Sequence, residues 1–204
     1  MPSQTKRIFF EDYTFTVHKD VYEPAEDSFL FAENLTVREG FSVLDMGTGC
    51  GVLGIVAAAQ GAKVIAVDIN PYAAACAKEN ARLNGLSDNM FLVQADLFKF
   101  AAKRRAFDLI IFNAPYLPSE PFEDESWLSR SWAGGSTGRQ VIDRFISEAP
   151  NYLRASGRVL LMQSTLSDIA ATVQRFQEKG LTAAIVAKQA LPFFEKVVLI
   201  EASR

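Results

Sequence analysis

Short apolar runs alternate with amphipathic stretches along most of the chain. The runs predict seven strands, of which the first ends at Val43–Leu44. The later predicted strands are Lys63–Asp68, Met90–Asp96, Phe107–Phe112, Arg158–Met162, Thr182–Ala187 and Glu195–Glu201. Five helices are predicted. The first begins at Pro24, and the others are Val52–Ala59, Tyr72–Asn84, Gly138–Leu153 and Leu166–Lys179. This alternation predicts an α/β fold with a doubly wound, mostly parallel, seven-stranded sheet.

Three further segments complete the predicted architecture. Lys188–Phe194 is too short to hold a helix, so we expect the last two strands to be antiparallel. Phe9–Val17 alternates apolar and polar residues and predicts either a short hairpin or an edge strand. Leu117–Gly135 is polar and aperiodic, and loops of this length are usually functional. No repeat or linker interrupts the pattern, which indicates a single domain over residues 1–204.

A glycine-rich turn joins the first strand to its helix. Its glycines stand at alternate positions, Gly47, Gly49 and Gly51. A dinucleotide fingerprint would require a glycine at position 52, where Val52 stands. Asp45 precedes the turn, and its carboxylate would repel a pyrophosphate but attract an ammonium or sulfonium group. The turn therefore favours S-adenosyl-L-methionine over NAD, while a turn that only packs the helix on the sheet remains the alternative.

Acidic residues follow three successive predicted strands. Asp45, Asp68 and Asp96 stand at carboxyl ends, the edge at which open α/β sheets bind ligands. Asp68 ends the second strand, where its two oxygens can accept hydrogen bonds from both hydroxyls of a ribose. Asn113 follows the fourth strand. We therefore expect a ligand site along this edge of the sheet.

Composition and charge argue against several classes of function. The net charge of −3 provides no positive field for nucleic acid or an anionic membrane. Cys50, Cys76 and the single histidine offer no zinc-binding spacing, so we expect no metal. No signal peptide or membrane span is predicted, and we expect a cytoplasmic protein. The basic run Lys103–Arg105 is typical of a solvated loop.

Several motifs together resemble a known family. The glycine turn, the strand-end acids and Asn113-Ala114-Pro115-Tyr116 resemble class I S-adenosyl-L-methionine-dependent methyltransferases, which have a Rossmann-like fold. With Tyr22–Ser28 and Trp132–Arg139, the set resembles the HemK-type methyltransferases of archaea and eukaryotes. That family methylates the glutamine side-chain amide in the Gly-Gly-Gln motif of class 1 translation termination factors. Ala114 replaces a proline that is usual in the family.

The resemblance implies roles for the residues after the fourth strand. The Asn113 side-chain oxygen and the Ala114 carbonyl would accept hydrogen bonds from the glutamine NH₂ group. Pro115 would hold Ala114 extended, and Tyr116 would offer a flat face to the planar amide. These four residues are the predicted catalytic set.

The resemblance also implies a binding set for the methyl donor, whose product is S-adenosyl-L-homocysteine. Asp45 would lie near the cationic amino-acid part, directly or through water, and Asp68 would bind the ribose. Asp96 and the Leu97 NH would bind the adenine, and Ser28 would close over the donor. The full predicted set is Ser28, Asp45, Gly47, Thr48, Gly49, Gly51, Asp68, Ile69, Asp96, Leu97 and Asn113.

The resemblance also suggests a protein partner, and the sequence leaves alternative functions open. Short members of the family pair with a small zinc-binding activator, which implies docking on an edge strand around Phe91–Gln94. Methylation of protein lysine or DNA adenine N6 is the second hypothesis, and a non-catalytic donor-binding scaffold is the third. Trp132–Arg139 is interpreted equally well as part of the substrate pocket or as a turn that begins a helix. The acids of the first predicted helical turn, Glu23, Glu26 and Asp27, are explained as well by solvation as by function.

Overall fold

The computed structural model describes residues 5–100, 105–120, 126–192 and 195–204. Within these ranges the strands are β1 Thr5–Phe10, β2 Tyr13–His18, β3 Ser42–Met46, β4 Lys63–Asp68, β5 Met90–Gln94, β6 Phe107–Asn113, β7 Leu153–Ser164, β8 Thr182–Ala190 and β9 Lys196–Ser203. The α-helices in the same ranges are α1 Glu26–Glu33, α2 Val52–Ala59, α3 Pro71–Leu83, α4 Gln140–Glu148 and α5 Ile169–Glu178. Lys103 and Arg104 of the predicted basic loop lie outside the described residues.

Seven strands form one sheet in the order β5-β4-β3-β6-β7-β9-β8. The first five strands of that order pair in parallel, and β9 is antiparallel to both β7 and β8. This confirms the predicted sheet and its antiparallel last strand. The strand order reverses between β3 and β6, and a crevice outside the strand ends at such a switch point is where doubly wound folds bind ligands.

Three predicted helices differ from the observed ones by two or more residues at one end or both. The first was predicted to begin at Pro24 and begins at Glu26, because Ala25 is extended and precedes the helix. The predicted helix Gly138–Leu153 ends at Glu148, because Pro150 belongs to a 3₁₀ turn and Leu153 already begins β7. The predicted helix that begins at Leu166 starts only at Ile169. Asp168 caps that helix, accepting a hydrogen bond from the Ala171 NH. All of these differences concern helix ends, and the order of helices and strands is as predicted.

The β1–β2 hairpin stands apart from the main sheet and packs on α3. Its docking depends on Asn80, which is fully buried on α3. The Asn80 Oδ1 accepts from the Thr16 NH at 2.8 Å, and its Nδ2 donates to the Thr16 carbonyl at 3.0 Å and to the Cys50 carbonyl at 2.8 Å. One side chain therefore joins the hairpin, the helix and the glycine-rich turn.

Substitution of Asn80 by alanine tests this junction. The change removes the Asn80 partner of the Thr16 NH and of the Cys50 carbonyl, whereas the Thr16 carbonyl keeps the Cys76 thiol as a donor at 2.8 Å. We therefore expect the free energy of unfolding to fall by about 1–3 kcal/mol. Asn84→Ala is the matched control, because Asn84 makes the same pair of bonds to Thr14 at a half-buried position where water can replace it. Urea denaturation of both variants is the measurement, and equal losses would contradict the role given to Asn80.

Candidate active site

A cavity of about 610 Å³ opens at the carboxyl ends of β3, β4 and β6. Its volume lies in the usual range for small-molecule sites, about 300–1,000 Å³. It brings together most of the predicted site residues, namely Ser28, Gly47, Thr48, Gly49, Asp68, Ile69, Asp96, Leu97, Asn113, Ala114, Pro115 and Tyr116. Asp45 and Gly51 are the two predicted residues that do not line it.

The glycines of the turn differ in what surrounds them. Gly49 has a φ of +57°, and a Cβ added there would meet no atom within 4 Å. Its backbone therefore faces open space in the cavity, where a ligand can approach closely. Gly51 has a φ of +93°, and a Cβ there would stand 3.1 Å from the Ala77 Cβ. Gly51 thus allows α2 and α3 to pack closely, and its predicted part in donor binding stays a prediction.

Asp45 lies beneath the glycine turn and is 1% exposed. Its Oδ2 accepts from the Thr48 hydroxyl at 2.6 Å, and a Cβ on Gly54 would come within 2.8 Å of the same oxygen. Burial raises the pKa of Asp45 to about 7, although the hydrogen bonds from Thr48 and the Gly54 NH oppose the rise. The first turn of α2 covers the carboxylate, so Asp45 does not itself line the cavity, and its predicted place near the cationic part of the donor stays a prediction.

Asp68 links the turn to the next helix while lining the cavity. Its Oδ2 accepts from the Gly49 NH at 2.9 Å, and its Oδ1 accepts from the Asn70 NH at 2.9 Å. Burial raises its pKa above the ordinary value, and these backbone bonds oppose that effect. Each oxygen retains a second lone pair, so the predicted ribose contact stays a prediction that the geometry permits.

Asp96 is held by two cations at the rim. Arg144 Nη2 lies 2.9 and 2.8 Å from its two oxygens, and Lys99 Nζ lies at 2.8 Å. Partial burial tends to raise the pKa of Asp96, but the bonds from Lys99 and Arg144 outweigh it and lower the pKa. The predicted adenine contacts of Asp96 and Leu97 stay predictions.

Asp27 of α1 is the centre of a hydrogen-bond network that sequence reasoning missed. It is 5% exposed, whereas Glu23 and Glu26 are solvated. Its Oδ2 accepts from Asn113 Nδ2 at 3.1 Å and from the Tyr116 hydroxyl at 2.9 Å. The Asn113 Nδ2 also donates to Ser28 Oγ at 3.2 Å. The network fixes the Asn113 amide, whose other end points away from both partners.

The Asn113 Oδ1 is buried and has no hydrogen-bond partner among the residues that the structure describes. Buried acceptors are rarely left in this state in proteins, so the atom is suited to a hydrogen-bond donor from a ligand. Tyr116 cannot act as a base here, because burial and the neighbouring Asp27 carboxylate raise the pKa of its phenol far above the ordinary value.

The glycine-rich segment Trp132–Arg139 braces this loop. The Leu117 NH donates to the Trp132 carbonyl at 2.9 Å, and the Gly134 NH donates back to the Leu117 carbonyl at 2.8 Å. A Cβ on Gly138 would stand only 2.2 Å from the Tyr116 carbonyl oxygen. Trp132 also lines the cavity, and the segment leads into α4. A place in the pocket and a turn that begins a helix are therefore compatible interpretations of this segment.

Comparison with known proteins identifies the family. The family model for ribosomal protein L11 methyltransferase (PrmA) matches residues 28–114. MJ0928 of Methanocaldococcus jannaschii, which is named for protein N5-glutamine methylation, is 42% identical over 194 residues, covering 94% of this chain and 96% of the relative. The methyltransferase HEMK2 of Homo sapiens is 36% identical over 173 residues, covering 79% and 80% of the two chains. This chain belongs to the HemK-type methyltransferase family.

A solved structure supports the same family at the level of the fold. The Mtq2-Trm112 complex of E. cuniculi, described as responsible for methylation of the termination factor eRF1, aligns with a TM-score of 0.68 and 26% identity. The alignment covers 91% of this chain and 99% of that one. The resemblance drawn from the motifs is thereby confirmed, and the enzyme is a methyltransferase of the Rossmann-like class I.

Two kinds of feature are absent from the part of the chain that the structure describes. It contains no helix long and apolar enough to cross a membrane. Nor does that part contain a group of three or more His, Cys, Asp or Glu side chains placed to hold a metal ion.

The buried Asp45 makes a testable prediction about pH. Its folded-state pKa of about 7 exceeds the ordinary value of 3.8. Between these values the folded protein keeps a proton that the unfolded chain releases, so this group lowers stability as pH rises from about 4 to 7. In Asp45→Asn that contribution disappears, and the loss of stability between pH 5 and 7 should shrink by about 1–3 kcal/mol. Urea midpoints at both pH values provide the measurement, and an unchanged pH dependence would refute the prediction.

Proposed function

We propose that this HemK-type enzyme transfers a methyl group from S-adenosyl-L-methionine to the side-chain amide nitrogen of the glutamine in the Gly-Gly-Gln motif of a class 1 termination factor. The observation that carries the proposal is the Oδ1 of Asn113, a residue that lines the cavity: this atom is buried and has no hydrogen-bond partner among the described residues. A glutamine NH₂ group can donate the hydrogen bond that this oxygen lacks. A cytoplasmic location is part of the same proposal.

The cavity suits the methyl donor. The backbone of Gly49 faces open space, and Asp68 lines the same wall with spare lone pairs. No phosphate-binding element is required, because the donor carries a sulfonium centre and no phosphate. When bound, it supplies an electrophilic methyl group, and Asp68, Asp96 and the glycine turn would hold its ribose, adenine and amino-acid parts.

The chain supports the transfer chiefly by orientation. An amide nitrogen is a poor nucleophile, since its lone pair is delocalised into the carbonyl. The Asn113 Oδ1 and the Ala114 carbonyl would each accept one of the two amide hydrogens and so set the plane of the group. The Tyr116 ring, anchored through its hydroxyl to Asp27, would support the amide face. Such alignment gives effective molarities of about 10⁵–10⁸ M in intramolecular models.

Asn113→Ala tests the assignment. With a purified termination factor and labelled donor, we expect transfer to fall at least about 100-fold. Donor affinity by calorimetry should stay within a few-fold, because the adenosine contacts are intact. Asn34→Ala, which removes an exposed asparagine at the end of α1, is the control with wild-type rate.

The methyl acceptor is checked in the same assay with a Gln→Ala variant of the termination factor. Label should appear only on the wild-type factor, at glutamine N5 by mass spectrometry. Equal labelling of the two factors, or label on lysine or on DNA adenine, would overturn the proposed function. A large loss of donor binding in Asn113→Ala would show that its role was misassigned.

We also propose that a small zinc-binding activator pairs with β5. This strand pairs only with β4 in the described sheet, so its outer edge has free backbone NH and carbonyl groups. Phe91 on that edge is 58% exposed. The E. cuniculi relative was solved as a complex with Trm112, which supports this choice of partner.

Phe91→Lys tests the docking edge. A charge in place of the exposed ring should weaken activator binding by about tenfold or more in a pull-down titration or by calorimetry. Ile185→Lys is the matched control, because Ile185 lies on β8 at the opposite edge and is 47% exposed. Equal binding by the two variants would exclude β5 as the docking edge.

A further inference from the structure

The carboxylate of Asp27 faces hydrogen-bond donors on every side. Its Oδ1 accepts from the Ser28 NH at 2.6 Å, from Ser28 Oγ at 3.2 Å and from the Tyr22 hydroxyl at 3.2 Å. Its Oδ2 accepts from Asn113 and from Tyr116. All of these donors are neutral, and no salt bridge to Asp27 occurs among the described residues.

This arrangement makes the direction of each hydrogen bond compulsory. An ionised carboxylate can only accept, so each group that faces it must present a hydrogen. Asn113 must therefore turn its NH₂ toward Asp27 and its Oδ1 away from it, and Asn113 itself lines the cavity. Without a charged neighbour the amide could rotate by half a turn at little cost, and NH₂ would then face the methyl acceptor.

We propose that Asp27 is a positioning residue, which selects the end of the Asn113 amide that meets the substrate. The inference rests on the proposed function and deepens it. With Oδ1 in the cavity, the site favours a methyl acceptor whose nitrogen still carries hydrogens, such as a primary amide. With NH₂ in the cavity, two donors would oppose each other and the amide would be repelled.

Asp27→Asn tests the positioning role of Asp27, because asparagine has nearly the same size and shape as aspartate. The Ser28 NH at 2.6 Å requires an oxygen opposite it, so the new NH₂ group would replace Oδ2 and face Asn113. Asn113 should then flip. We expect kcat for the termination factor to fall about 10²–10³-fold, with donor affinity by calorimetry within twofold and the melting temperature close to that of the wild type.

The double variant Asp27→Asn/Asn113→Asp separates positioning from general damage. The hydrogen bond between positions 27 and 113 would be restored with its direction reversed, because the amide would now donate to the carboxylate. The second oxygen at position 113 would again face the substrate. We expect kcat to recover at least about tenfold over Asp27→Asn alone.

Two single variants complete the set. Asn113→Asp alone should be inactive, because two carboxylates would then oppose each other. Glu26→Gln, which changes an exposed acid in the same helical turn, is the charge-matched control with wild-type kcat.

The outcomes distinguish the two proposals. A wild-type enzyme that leaves the Gly-Gly-Gln glutamine unmethylated overturns the proposed function. An active wild type with Asp27→Asn within threefold of it overturns the positioning role alone. A double variant that does not regain activity overturns it as well, whereas the predicted loss followed by rescue supports it. A crystal structure of Asp27→Asn with the Asn113 oxygen bonded to residue 27 would add independent support.

Discussion

The parallel pairing of β3 with β6 is the constraint on which the site depends. Met46 lies beside Phe112 in that register, so the glycine turn and Asn113 leave the sheet side by side. Gly47 permits this approach, because a Cβ there would stand 2.9 Å from the Phe112 ring. The pairing brings the glycine turn and the loop that begins at Asn113 to one cavity. Neither loop could form the site alone.

Three aspartates near the ends of successive strands have different surroundings, because the sheet register staggers them. Asp45 is covered by α2 and supports the turn from below through Thr48. Asp68 accepts from two backbone NH groups and still faces the cavity. Asp96 at the rim is compensated by full cations. Burial of the carboxylate decreases from Asp45 to Asp68 to Asp96. The groups that stabilise it change from a hydroxyl at Asp45 to peptide NH groups at Asp68 and to charged side chains at Asp96.

The acceptor side of the site is organised by hydrogen-bond direction. A single carboxylate on α1 orients one amide on β6 and one phenol after it, so the geometry needs no bulky packing. The surrounding glycine segment brings its backbone within contact of the Tyr116 carbonyl and keeps the loop in place. A polar network of this kind is rigid only when every member is satisfied. Its one unsatisfied atom among the described residues, Asn113 Oδ1, is therefore the informative one.

The sequence by itself determined the doubly wound sheet and its antiparallel last strand, because apolar periodicity and turn residues are local signals. The family was predicted from short motifs that resemble it. Most of the site residues predicted from strand ends and motifs also line the cavity. Only the tertiary structure decided which acids face the cavity. Asp45 and Asp27 look alike in sequence, as acids beside a turn or in a first helical turn. One is sealed beneath α2 and the other is joined to residues more than 80 positions away. Burial and hydrogen-bond direction arise from contacts between distant segments, and no local pattern encodes them.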